Sequence, residues 1–137
     1  MSSVEEWKTS AAEMTYGADH ILRCTILERE HTVAHAREGL ALIAAQTKGR
    51  RFAMLLDIRQ LASAEPEAQR HYAKGAPTGV VAMAMVVDSR WSRMIGNIAL
   101  SVAALTRRAS SGATLVPIRL FDDAPSAEQW CREMLAT

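Results

Sequence analysis

Apolar and polar positions along this chain alternate between short hydrophobic runs and longer amphipathic stretches. The first ten residues are polar and predict a frayed end. Met14-Thr15-Tyr16 closes a first strand, and Gly17-Ala18-Asp19 supplies turn chemistry. His20 to Leu27 is rich in apolar and β-branched residues, so the two segments predict a hairpin-like pair. Thr32 has the chemistry of a helix N-cap. Behind it Val33, Ala36, Leu40, Ile43, Ala44 and Thr47 recur at three- and four-residue steps, the stripe of an amphipathic helix. Lys48-Gly49-Arg50-Arg51 ends that helix.

Phe52 to Leu56 is a continuous apolar run, the mark of a strand covered on both faces, and Asp57 ends it. A short helix follows, with Pro66 in its first turn and Ala68 and Tyr72 on one side. Gly75-Ala76-Pro77-Thr78-Gly79 reads as a loop. Val80 to Val87 is a second fully apolar strand, ended by Asp88. The next helix buries Trp91, Met94, Ile95, Ile98, Val102 and Leu105, with Gly96 permitting a close backbone approach. After Ser110-Ser111-Gly112, residues Leu115 to Phe121 form a strand whose Pro117 points to a sheet edge or a bulge. Asp122 and Asp123 start a last helix, with Asp123 as cap and Ala127, Trp130, Cys131, Met134 and Leu135 inside.

Strands alternating with helices in the order β-β-α-β-α-β-α-β-α predict a single α/β domain over residues 1–137. Its sheet is largely parallel and joined by right-handed crossovers. From about His20 to Leu135 the order resembles the small STAS-like domains, whose relatives include bacterial anti-anti-sigma factors and the cytoplasmic domains of sulphate transporters. The residues that carry the resemblance are Leu55-Leu56-Asp57-Ile58-Arg59-Gln60-Leu61, Val86-Val87-Asp88-Ser89, Ser92-Arg93-Met94-Ile95-Gly96-Asn97 and Pro117-Ile118-Arg119-Leu120-Phe121-Asp122 leading to Trp130. The chain is most similar to stand-alone bacterial STAS-like proteins with no assigned activity. The resemblance implies a four- to five-stranded, mostly parallel sheet with an N-terminal hairpin-like strand pair and about four helices.

Anti-anti-sigma factors carry a phosphorylatable hydroxyl, usually behind an aspartate, at the start of the helix after the Leu-Leu-Asp strand. Here that stretch reads Leu61-Ala62-Ser63-Ala64-Glu65-Pro66-Glu67. Glu65-Pro66 replaces the Asp-Ser pair, and Ser63 lies two or three residues early. Glu65 and Glu67 could imitate a phosphorylated state, but acidic residues and proline also suit a helix N-terminus. Ser63 itself is read as a helix cap. The regulatory or interaction candidates are thus Ser63, Glu65 and Glu67, together with Arg93 and Asn97 off the buried stripe of their helix.

Composition narrows the classes further. The 137 residues are 49% hydrophobic and 23% charged, enough for a real core and close to the usual charged fraction. A net charge of +1 provides no field toward nucleic acid or an anionic membrane. The N-terminus has no basic start followed by an apolar stretch, and no apolar run is long enough to span a bilayer as a helix. Cys24 and Cys131 form no CxxC pair and read as two buried, reduced thiols. A cytoplasmic protein without membrane insertion or nucleic-acid contact is the expectation.

Three strands end in aspartate: Asp57, Asp88 and Asp122. Parallel strands bring such ends to one edge, where open α/β proteins bind ligands and where carboxylates can hold Mg²⁺. No lysine stands suitably after any strand, and each aspartate is expected to cap the start of its own helix. His31 and His35 have the i, i+4 spacing of a zinc pair but lack the glutamate of HExxH. His20, His71 and the glycines Gly75, Gly79 and Gly96 match no catalytic or phosphate-binding motif. Neither a cofactor, a metal nor a catalytic residue is expected. The chain reads as a non-enzymatic interaction or regulatory module, with small-molecule or lipid binding between sheet and helices as the alternative. A homodimer is expected from the low net charge and from Trp7, Trp91 and Pro117 as surface apolar positions.

Overall fold

A computed structural model of the protein describes residues 4–68, 71, 79–88, 94 and 116–137. Its strands are β1 (Glu5–Lys8), β2 (Ala12–Tyr16), β3 (Ile21–Ile26), β4 (Glu30–His31), β5 (Phe52–Asp57), β6 (Ser63–Ala64), β7 (Val80–Val86) and β8 (Ile118–Phe121). Two helices, α1 (Val33–Thr47) and α2 (Ala124–Ala136), lie within the described residues. Six strands form one sheet in the order β1-β2-β3-β5-β7-β8, and β4 with β6 forms a separate pair. β1, β2 and β3 are joined antiparallel, whereas β3-β5, β5-β7 and β7-β8 are parallel.

The expected hairpin is therefore present, but among the described residues the sheet already has six strands rather than four or five. The sixth comes from the stretch read as frayed. Trp7 is only 8% exposed and stacks on Tyr16 of the neighbouring strand, ring centroids 5.8 Å apart. It is a core residue, so it offers no apolar surface for a dimer. Nearby, the Ser10 backbone N–H and hydroxyl both donate to the Glu38 carboxylate, which fastens the N-terminal strands to α1.

Side-chain alternation divides the core into two layers. Phe52, Met54 and Leu56 of β5, Met83 and Met85 of β7, and Met14, Tyr16, Leu22 and Cys24 face one way, where Ile43 of α1 meets them. Ala53, Leu55, Ala84 and Val86 face the other way, against Ala127 and Cys131 of α2. Small residues on both surfaces let α2 come close to the strands. Each fully buried large side chain contributes roughly 1.5–3 kcal/mol. Within α1 the buried positions are Ala36, Gly39, Leu40, Ile43 and Thr47, so Gly39 takes the place expected of Ala44, which is exposed.

Polar contacts lock this arrangement. Arg23 of β3 bonds Asp19 at 2.9 Å and Glu128 of α2 at 3.1 Å. Arg51 donates to the carbonyls of Leu135 and Thr137, placing a cation at the C-terminal end of α2 where the helix dipole favours it. Gly79, at φ +96°, sits against the Arg50 carbonyl and accepts from the Phe52 N–H at 3.0 Å. This close approach aligns the starts of β5 and β7.

Pro117 stands just before β8, the last strand of the sheet among the described residues, so the edge expectation is met there without a bulge in that strand. Pro66 opens a helical turn at 66–68, as expected. Met94 is helical but 44% exposed, contrary to its place in the predicted buried stripe. Tyr72, the loop at 75–78, the rest of the helix around Trp91, Arg93 and Asn97, and Ser110-Ser111-Gly112 lie outside the described residues. No described helix is long and apolar enough to cross a membrane.

Candidate functional site at the strand ends

The parallel strands deliver their C-terminal ends to one edge, and the sequence-predicted carboxylates stand there. Asp57 ends β5. Its carboxylate accepts the Arg59 backbone N–H at 3.0 Å and the guanidinium at 3.0 and 2.7 Å. Burial alone would raise this carboxyl, but the Arg59 bonds outweigh it and hold it below the ordinary carboxylate range. Arg59 also feels the negative charge of Asp88, which lies exposed beyond the end of β7. Asp122 is exposed immediately after β8.

These contacts correct the expectation for Asp57 and Asp122 that each caps its own helix; the helix start expected after Asp88 lies outside the described residues. Asp57 binds a turn at 59–60, not a helix start. At α2 the cap is Asp123, whose carboxylate accepts the Ser126 N–H at 2.7 Å. Among the described residues no three His, Cys, Asp or Glu side chains are grouped as a metal ion would require. The cation beside Asp57 is a guanidinium of the chain itself.

Next to this edge the small sheet carries the regulatory candidates. Ala62 and Ser63 both donate their N–H groups to the Arg29 carbonyl, at 2.7 and 3.0 Å, and Ser63 pairs with Glu30. Ser63 is exposed in a strand, so it caps no helix. Glu65 does cap one, but not the helix that follows it. Its carboxylate accepts the Val33 N–H of α1 at 2.9 Å, while its own N–H donates to the His31 carbonyl at 2.9 Å. Glu67 is exposed on the turn at 66–68.

The start of α1 completes the site. The Thr32 hydroxyl accepts from the His35 N–H, and His35 Nδ1 accepts from the Thr32 N–H, both at 3.2 Å. This is a reciprocal capping box with histidine where glutamate or glutamine usually stands. His31 lies beside it, 5% exposed, with ring centroids 5.5 Å apart. Burial first, then the neighbouring His35, lowers the His31 imidazole to about 4. The histidine pair read as a possible zinc motif is thus a buried neutral ring beside a capping ring.

Sequence reasoning placed Thr32 as a cap and the aspartates at one edge. It missed Arg59 as the counter-ion of Asp57 and Glu65 as a cap on α1. Arg59 was legible in principle, two residues after a strand-ending aspartate, whereas the Glu65 contact spans 32 residues and leaves no local signal. The thiols are silent in chemistry. Burial and then the charge of Asp57 push Cys24 up to about 12, and burial above all pushes Cys131 up to about 11, so both stay protonated at neutral pH.

Comparison with known proteins agrees with this picture of a fold with an unassigned site. A solved structure of an uncharacterized protein from the DUF3478 family, with a SpoIIAA-like fold, from Shewanella loihica PV-4, is similar at a TM-score of 0.51. The two share 12% sequence identity, over 95% of this chain and 93% of that one. That likeness supports the STAS-like architecture and carries no activity with it. No curated protein matches the sequence. The family model for DUF7793, a domain of unknown function, matches residues 15–135, and the chain belongs to that family.

Proposed function

We propose that this domain is a cytoplasmic, non-enzymatic protein-interaction or regulatory module whose contact surface is the polar edge at the strand ends. The observation that carries the reading is that the groups there with chemical potential are already engaged within the chain. Asp57 is held by Arg59, Glu65 by the α1 backbone, and His35 by Thr32. A general acid, base or ligand needs a free proton or lone pair aimed at a substrate. Here Glu65 and His35 instead fix the end of β6 and the first turn of α1, and Asp57 fixes the turn at 59–60, so Ser63, Glu30 and Glu67 are displayed on a settled backbone. Preformed polar surfaces of this kind suit recognition with little backbone movement.

A second reading rests on a groove of about 420 Å³ between β8 and α2, lined by Arg119, Phe121 and Trp130 among others. Its size is within the range of about 300–1,000 Å³ common for small-molecule sites, so binding of a small molecule or lipid is the alternative. Native mass spectrometry of the protein isolated from its own organism separates the two. The interaction reading expects a defined protein complex that dissociates on Glu67→Lys with Ser63→Arg. A bound small molecule or lipid with no protein partner would support the alternative instead.

A further inference from the structure

The outer edge of β8 carries residues in an order that fits a second copy of itself. The carbonyls of Pro117 and Phe121 accept from Met83 and Val87, each at 2.9 Å. By strand alternation Arg119 also bonds inward, and the N–H and C=O groups of Ile118 and Leu120 point away from the sheet. Among the described residues no strand lies beyond them. On the α2 side, the exposed Arg119 guanidinium rests 5.1 Å over the Phe121 ring, and Phe121 meets Trp130 at 5.6 Å. α2 packs mainly on β5 and β7, which leaves the groove beside β8 open along the edge.

We propose that β8 pairs antiparallel with β8 of a second copy, with Leu120 opposite its twin and Arg119 opposite Phe121 of the other protomer. Ladder bonds require outward-pointing residues to face one another, so only every second alignment is possible. The alignment centred on Arg119 sets two guanidinium groups directly opposite, which like charge disfavours. Centring on Leu120 instead produces two Arg119–Phe121 cation–π contacts across the seam, one in each direction, as a two-fold axis requires. It also joins the two grooves over that seam. At the opposite edge β1 presents Glu5, Glu6 and Lys8, all exposed, a density of charge that keeps edges apart.

The register is tested by mixing two single variants, R119C and F121C, under mild oxidation. The proposed pairing sets the two substituted positions opposite each other only in the mixed dimer, where the second Arg119–Phe121 contact survives. The expected result is a covalent dimer in the mixture and little in either variant alone; Cys24 and Cys131 are buried and stay out of the reaction. Sedimentation of the unmodified protein at tens of micromolar should give a dimer. R119E should weaken that dimer about tenfold, since it removes both cation–π contacts. A monomer at that concentration overturns the proposal, and so does a dimer that shows no preference for the mixed disulfide.

Discussion

His31 and His35, four residues apart, have opposite roles. His31 is buried in β4, and its folded value of about 4 lies below the ordinary 6.5. The unfolded chain therefore takes the proton more readily than the folded one. Stability from this group is complete above about pH 6.5 and is lost as pH falls from there toward 4, by up to roughly 3 kcal/mol. Urea unfolding at pH 7, 5 and 4 should show that loss in the natural protein and a flatter profile in His31→Phe. An equal slope in the variant would remove His31 as the cause. His35 contributes through its ring nitrogen as an acceptor. His35→Gln keeps an acceptor in a capping box, whereas His35→Ala loses it, so at pH 7 the alanine variant should be less stable than the glutamine variant by about 1 kcal/mol. Equal melting temperatures for the two would show that the cap contributes nothing.

At the scale of elements, what was legible followed from how many residues in a row pointed to the same structure. β5 and β7 were clear because burial on both faces makes them unbroken apolar runs. α1 was clear from its stripe and from Thr32. β1 was illegible because Trp7 is its one buried residue among exposed charges, and only pairing with β2 makes it a strand. β6 was illegible because a two-residue strand exists only through its partner β4, brought across from the other side of α1. Two substitutions test these assignments. Trp7→Ala should cost about 3–5 kcal/mol in chemical denaturation if β1 is a core strand, and almost nothing if the end is frayed. Gly79→Ala should cost more than about 2 kcal/mol, because φ +96° strains any side chain and a Cβ there runs into the Arg50 carbonyl. A melting temperature unchanged by the alanine would mean that β5 and β7 do not depend on this approach.

For the molecule as a whole, a SpoIIAA-like architecture is combined with a strand-end surface on which Asp57 and Glu65 are held by partners within the chain. The aspartates do share one edge, as the parallel order of strands predicts. What the order of elements could not supply was their partners, since Arg59 and Glu65 act through side-chain geometry and, for Glu65, across a long separation in sequence. That difference underlies the proposal that this edge is a contact surface. A photo-crosslinking residue placed at Ser63, compared with one at Glu13 on the remote β2, tests this most directly in living cells of the source organism. The account predicts a discrete protein adduct from position 63 and none from position 13. No adduct from 63, or the same adducts from both positions, would contradict it.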